Sequence, residues 1–485
     1  MSFASVKGSR LCNVDSSTKT KPHVVSLLND WQYGERSIHR LLAGWGRHLA
    51  PWADKSAWHR HIWDQAECVR RLRERIGQFP GGNPDAAVSP ALEQLGNCVL
   101  LAPTFDDALD GIHALLSKTL MGAYVGYTQS AHPVHDAPTV ALLHEINQIK
   151  SQQWLWYRDY RRRHPHQTDG NYRAAVEARL SQCGRFMSPL AVPRGKSAQP
   201  VGVATDFALP KFSARNVPSH PKHDFMPYVR ADFRTSLEAR RLFWAYAYLL
   251  EKNLPDDMLF WIYYGHTMPW AWQHDVSRHL WDESRHGDSG FSRLKDFGIS
   301  IGEVGFPSYN NKAQAAALDA IATGEASGQM DCYLAPKPAD TAMAEPMTPK
   351  MLYDSVFFIG MIAENGHFVV KNEAFQDFKE GRDLDSAEMM LFDIIDETTH
   401  VQYAHKWLPL LAKQAGVDNT DYREKAAVIR AEFEKGETAS VSALRLSRDP
   451  ADPAFAFYRD LLSRIRRTCP LTNADTCPPR SPKPI

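Results

Sequence analysis

The same five-residue pattern, Asp-Glu-x-x-His, occurs twice in the second half of the chain, at Asp282–His286 and at Asp396–His400. Because Glu and His are three residues apart in each copy, both side chains project from one face of a helix and can approach the same ion. A single glutamate precedes each copy at nearly the same distance: Glu251 lies 32 residues before the first motif glutamate, and Glu364 lies 33 residues before the second. That distance suits one helix, a turn and an antiparallel return. The spacing therefore predicts four helices that direct these side chains into one bundle interior.

Four carboxylates and two imidazoles form the predicted metal-ligand set: Glu251, Glu283, His286, Glu364, Glu397 and His400. Such a set suits two iron or manganese ions, because carboxylates bridge the ions and offset their charge while imidazoles complete each coordination sphere. Glu283 and Glu397 are also the candidate catalytic residues. Pro255 follows Glu251 closely, which places Glu251 near a helix end and leaves Glu238 as the alternative on that segment. The alternative for the whole set is a coincidence of surface Glu and His side chains.

Along most of the chain, apolar residues recur at three- and four-residue spacing, and few stretches alternate as a half-buried strand would. The clearest predicted helices are Ile62–Ile76, Thr139–Arg158, Thr235–Glu251, Leu352–Phe378 and Ala387–Ala415. Thr348 followed by Pro349 predicts a helix start, with Thr as the N-cap and Pro at the first helical position. The predicted fold class is therefore all-α.

Proline-rich stretches divide the chain. We predict an N-terminal helical domain at 1–185, a linker at 186–230, a second helical domain at 231–460 and a mobile tail at 461–485.

The pattern of a glutamate followed about thirty residues later by Asp-Glu-x-x-His resembles the ferritin-like carboxylate-bridged di-iron superfamily. That superfamily includes bacterial multicomponent monooxygenases and the arylamine N-oxygenases. The resemblance covers residues 235–415, and the stretch 396–408 also resembles a poorly characterised bacterial family of ferritin-like proteins. It implies a ferritin-like four-helix bundle, a di-iron centre and oxygen activation. It implies no particular substrate, because the superfamily includes hydroxylases, N-oxygenases, desaturases, radical generators and ferroxidases.

The resemblance adds three residues around the ligand set. Asp282 and Asp396 match aspartates that accept a hydrogen bond from a ligand imidazole and fix its orientation, the alternative being solvated helix charge. His367 lies three residues after Glu364. It is either an extra nitrogen ligand, since the N-oxygenases carry an additional histidine, or a satisfied core or pocket histidine.

The first half of the chain carries a degenerate version of the pattern. Glu35 lies 32 residues before Glu67, but Arg70 stands where a ligand histidine would be. A second register, which aligns the preceding tryptophans of the two halves, places Gln65 rather than Glu67 at the position of the motif glutamate. We predict that this half is a degenerate ferritin-like bundle without metal, which packs on the catalytic one and shapes an access path or a dimer surface.

Composition excludes several classes of protein. Equal numbers of basic and acidic residues, 56 of each, give no electrostatic support for nucleic-acid binding. No apolar run approaches the ~20 residues needed to cross a bilayer, and the N-terminus lacks the apolar stretch of a signal peptide. The seven cysteines are scattered without a CxxC pair. We therefore expect a cytoplasmic protein that binds neither nucleic acid nor membrane.

The region between Glu251 and Glu283 is rich in aromatic residues, among them Trp261 and Trp272. At helical spacing, aromatic residues are more often core than site, so we predict core packing, with an aromatic-walled pocket as the alternative.

The leading functional hypothesis is an oxidoreductase, a non-haem di-iron monooxygenase or oxidase with dioxygen as co-substrate. It would hold two iron ions, or manganese at one position, and oxidise a small organic molecule, with hydroxylation or N-oxygenation favoured. The chain has no flavin or nicotinamide fingerprint, so electrons would come from an external donor. The alternatives are a ferroxidase or iron-binding protein without organic substrate, and a structural helical protein with a vestigial metal site. Two packed helical units also invite a homodimer.

Overall fold

The computed structural model describes residues 21–184, 207–210, 213–214, 221–305, 346–431 and 446–468. Within these ranges the regular elements are helices and no strand is formed, which confirms the all-α prediction. None of the helices described there has the length and apolar character needed to pass through a membrane. Most of the predicted linker at 186–230 lies outside the described residues, as does the part of the predicted tail after residue 468.

The chain divides into two compact units that alternate along the sequence. The first comprises Met1–Leu41 and Asp64–Phe207, and the second comprises Leu42–Trp63 and Ala208–Ile485. The sequence predicts one continuous domain over 1–185, whereas residues 42–63 group with the second unit.

Buried ion pairs explain why residues 42–63 belong to the second unit. The guanidinium of Arg47 donates to the backbone carbonyl of Asp256 at 2.8 Å and pairs with the carboxylate of Asp257 at 3.3 Å. The ammonium of Lys55 pairs with the carboxylate of Asp256 at 2.8 Å. All of these side chains are at least nine-tenths buried. Removing one partner of such a pair would leave a buried charge uncompensated, so the contacts hold the segment firmly.

Residues 21–184 form seven α-helices: α1 (Lys21–Trp45), α2 (Trp52–Gly77), α3 (Pro90–Leu100), α4 (Phe105–Asp110), α5 (Lys118–Ser130), α6 (Ala137–Arg163) and α7 (Gly170–Gln182). Helices α1 and α2 each cross the division between the units. A π-helical segment, Gly111–Ser117, joins α4 to α5. The predicted helices at 62–76 and 139–158 lie inside α2 and α6.

The described residues after 184 include these α-helices: α8 (Met226–Asp232), α9 (Leu237–Ala247), α10 (Leu254–Tyr264), α11 (Trp270–Asp296), α12 (Ile301–Val304), α13 (Pro349–Phe357), α14 (Asn365–Glu380), α15 (Leu384–Ala415) and α16 (Pro453–Thr468). A second π-helical segment, Phe358–Glu364, joins α13 to α14. Thr348 caps α13 as predicted, because its side chain accepts a hydrogen bond from the backbone N–H of Met351 at 3.2 Å.

Helix α16 extends the second unit past residue 460, where the sequence predicts the mobile tail. Its buried residues recur at intervals of three and four: Phe455, Tyr458, Leu461 and Ile465. They pack into the core with Phe225, Leu242 and Leu294, so residues 461–468 form part of an anchored helix. Burial of one apolar face stabilises this segment.

Candidate metal centre

The six predicted ligands converge inside the second unit. Glu251 lies on a short 3-10 turn, Leu250–Lys252, which follows α9. The first motif, with Glu283 and His286, lies on α11, and the second motif lies on α15. Glu364 ends the π-helical segment. The alternative Glu238 is instead paired with Arg466 at 2.7 Å, which leaves Glu251 as the glutamate at this centre.

Four side chains form the first group that could hold a metal ion: His279, Glu283, Glu364 and His400. The Nε2 atom of His279 lies 2.6 Å from Glu364 Oε1 and 3.3 Å from Glu283 Oε1. The Nδ1 atom of His400 lies 3.3 Å from Glu283 Oε1 and 3.5 Å from Glu364 Oε1. Two ligands that each bind an ion at about 2.1 Å lie roughly 3 to 3.5 Å from one another. The group therefore has nearly the dimensions of a coordination sphere.

A second group shares one residue with the first. It consists of Glu251, Glu283 and His286, all donor atoms lying within 4.8 Å of one another. His286 Nδ1 lies 3.2 Å from Glu251 Oε2 and 3.9 Å from Glu283 Oε2. Glu283 therefore presents Oε1 to the first group and Oε2 to the second, which is the arrangement of a carboxylate that bridges two ions.

The ammonium of Lys371 borders the second group. It lies 2.7 Å from Asp393, donates a hydrogen bond to Glu397 and lies 3.8 Å from Glu251. Lys371 and Asp393 are almost fully buried. Glu251, Asp393 and Glu397 form the third group of potential ligands, so this part of the centre contains a carboxylate trio with its own cation.

Three residues of the centre lie outside the predicted motif: His279, Lys371 and Asp393. Helical spacing is the signal that could have found them. His279 and Asp393 each lie four residues before a motif glutamate, and Lys371 lies seven residues after Glu364. Each therefore shares a helix face with a predicted ligand.

The two motif aspartates each contact the ligand histidine of the other motif. Asp282 Oδ2 lies 3.3 Å from His400 Nε2, and Asp396 Oδ2 lies 3.3 Å from His286 Nε2. Because each aspartate engages Nε2, the Nδ1 atom of each ring is left facing the carboxylates of the centre.

Two arginines pair with these aspartates. Arg278 pairs with Asp282 at 2.7 Å, and Arg285 pairs with Asp396 at 2.6 Å. Burial alone would raise the pKa of Asp282, but the hydrogen bond and charge of His400, together with the arginines, lower that pKa overall. The aspartate therefore stays ionised and able to accept from the imidazole.

His367 belongs to none of the ligand groups formed by the described residues. Its side chain is exposed to solvent.

The electrostatics of the centre favour positive charge. Burial raises the pKa of Glu251 to about 7, against the opposing effect of Lys371. Burial also raises the pKa of Glu397 well above its usual value, and Asp393 adds to the rise. Burial lowers the pKa of His400, but Glu364 and the other carboxylate neighbours outweigh it and raise that pKa well above the usual range. Crowded carboxylates thus stabilise protons or metal ions at this place.

A small cavity borders the first group. Its volume is about 20 Å³, and His279 and His400 form part of its wall. Trp261 and Trp272 line it as well, so these two aromatic residues do form the wall of a pocket. The space suits about one water-sized molecule.

The first unit contains a polar cluster built on Glu35. Lys150 Nζ lies 2.8 Å from Glu35 Oε2, and the hydroxyl of Tyr124 donates to Glu35 Oε1 at 2.6 Å. The amide of Gln65 also donates to Glu35, whereas Glu67 pairs with surface arginines. Of the two residues that the sequence offers for the position of the motif glutamate, Gln65 is the one that contacts Glu35. In this cluster a lysine ammonium supplies the positive charge beside the glutamate.

No protein-family model, curated protein or solved structure matches this chain.

Proposed function

We propose that this protein is an oxidoreductase in which two divalent metal ions, two irons or one iron and one manganese, activate dioxygen to oxidise a small organic molecule. The observation that carries the proposal is the position of Glu283, whose two oxygens face two separate ligand groups. His279, Glu283, Glu364 and His400 would hold one ion. Glu251, Glu283, His286 and Glu397 would hold the other.

The donor set fits two such ions. Its donor atoms are imidazole nitrogens and carboxylate oxygens, which suit iron and manganese. With neutral imidazoles, the five carboxylates of the three groups and the ammonium of Lys371 leave four net negative charges. Two divalent ions would neutralise that charge. The likeness of the two motifs to ferritin-like di-iron proteins supports the same reading, including a four-helix bundle around the ions.

When bound, the ions would supply the electrons and the Lewis acidity that dioxygen reduction requires. The protein contributes ligand geometry and a dry environment. Asp282 and Asp396 orient the ligand imidazoles, and Trp261 and Trp272 keep the wall beside His279 and His400 largely apolar.

A second candidate function is iron oxidation without an organic substrate. The small cavity favours it, because about 20 Å³ beside the ligands admits no organic molecule unless side chains move. In that case iron would be the substrate, and the aromatic wall would serve packing alone.

The test is anaerobic loading of the full chain with ferrous iron, followed by oxygen addition. We expect two irons per chain and oxygen consumption that accompanies a transient visible absorption band. Glu397→Ala should abolish the band, while Glu388→Ala, an exposed glutamate on the same helix, should behave as wild type. Oxygen uptake that stays proportional to added iron would instead favour the ferroxidase. Protein that binds no metal after loading would refute both functions.

A further inference from the structure

Lys371 makes the charge around the two proposed metal positions unequal. Its ammonium contacts Asp393 and Glu397 and lies 3.8 Å from Glu251, all of them carboxylates of the second and third ligand groups. None of its ion pairs involves His279, Glu364 or the other members of the first group. A buried ammonium group therefore borders one metal position and not the other.

His279 adds to this inequality. With it, the first position offers four donor atoms, two nitrogens and two oxygens, before any exogenous ligand binds. The second position offers one imidazole, His286, and its carboxylates Glu251 and Glu397 are shared with the ammonium of Lys371. An ion that binds there must compete with a charge of the same sign for the same oxygens.

Asp393 holds the ammonium of Lys371 in place beside the second metal position. It pairs with Lys371 at 2.7 Å and lies 3.3 Å from His286 Nδ1, and both partners of the pair are almost fully buried. Because Lys371 and Asp393 cancel in charge, the remaining glutamates still balance two divalent ions. The pair therefore changes the local affinity of one position without changing the total charge that the centre can hold.

We infer that the centre fills in sequence: the first divalent ion occupies the position of His279, Glu283, Glu364 and His400, and Lys371 weakens binding of the second ion. The inference rests on the proposed two-metal function. Lys371 is a positioning residue here, since it acts on the ion through Glu397 and Glu251.

The test is titration of the metal-free full chain with Co²⁺ alone, followed by calorimetry and visible absorption. Wild type should bind two ions in separate steps, with dissociation constants that differ by about tenfold or more. Lys371→Met should tighten the second step by about tenfold and leave the first nearly unchanged. Lys379→Met, an exposed lysine on the same helix, should leave both steps as in wild type. His279→Gln should weaken the first step selectively.

Two equal steps in wild type would overturn the inference, as would a second step that Lys371→Met leaves unchanged. If Lys371→Met does not fold, the double variant Lys371→Met/Asp393→Asn removes both partners of the ion pair. The difference between the dissociation constants of the two steps should then be smaller than in wild type. The readout is binding, so the outcome is independent of oxygen chemistry. A centre that binds two Co²⁺ equally but reacts with oxygen after iron loading would refute this inference and leave the proposed function standing.

Discussion

At the scale of single residues, the crossed pairing of aspartates and histidines explains how two separate motifs act as one centre. Asp282 belongs to the first motif but contacts His400 of the second, and Asp396 contacts His286 of the first. Each motif therefore orients the ligand of the other. Because the contacts reach from α11 to α15, they also fix the relative rotation of these two helices.

The crossed pairs lead to a prediction for Asp282→Asn. The variant should weaken metal binding by about 10- to 100-fold, because the neutral amide orients and polarises the imidazole of His400 less well than the carboxylate does. Co²⁺ titration measures the change. Asp385→Asn, at an exposed position on α15, is the matched control. Unchanged affinity in Asp282→Asn would show that the aspartate only balances the charge of Arg278 and Arg285.

At the scale of elements, the π-helical segment Phe358–Glu364 determines where Glu364 points. A π-helical turn inserts an extra residue, so the residues after it are rotated relative to those before it. Gly360 lies in this segment where it packs against α15, and a Cβ atom added there would lie 2.3 Å from the Cβ of Ala404. The close approach of the two helices therefore requires glycine at this position.

Gly360→Ala should lower the free energy of unfolding by about 1–3 kcal/mol, since the new methyl group forces the segment away from α15. Urea denaturation measures the loss. The double variant Gly360→Ala/Ala404→Gly moves the methyl group to the opposite helix and should recover part of the stability. If the double variant is no more stable than the single one, the clash with Ala404 is not the cause.

At the scale of the whole molecule, the two units differ in the cations that balance the charge of their interior glutamates. One unit contains Glu35, which is fully buried within α1, and the other contains Glu251, on the 3-10 turn that follows α9. In the first unit the ammonium of Lys150 satisfies Glu35. In the second unit carboxylates exceed the single lysine, and we propose that metal ions supply the rest.

Lys150→Met should destabilise the protein by about 3–5 kcal/mol, because Glu35 would be left buried without its cation. Glu35→Gln/Lys150→Met should cost less, since neither charge then remains. Urea denaturation measures both losses, and the metal content of folded protein should equal that of wild type. A fall in metal content would contradict the assignment of the metal to the other unit.

The helical class and the convergence of the motif residues could be predicted because both follow from local periodicity. Glu and His three residues apart share a helix face wherever the helix packs. The predicted helix at 235–251, by contrast, ends at Ala247, and Glu251 reaches the centre from a separate 3-10 turn. The residue at which a helix ends depends on the elements packed against it as well as on its own sequence.

The sequence alone determined the helices, the paired motifs and their six candidate ligands, because these depend on residues close together in the chain. Only the tertiary structure decided that Lys371 and Asp393 enter the centre and that His279 completes the first ligand group. It also decided that residues 42–63 join the second unit. Helical spacing places His279, Lys371 and Asp393 on the same faces as predicted ligands, but their contacts also join different helices, where burial and charge compensation select the partner.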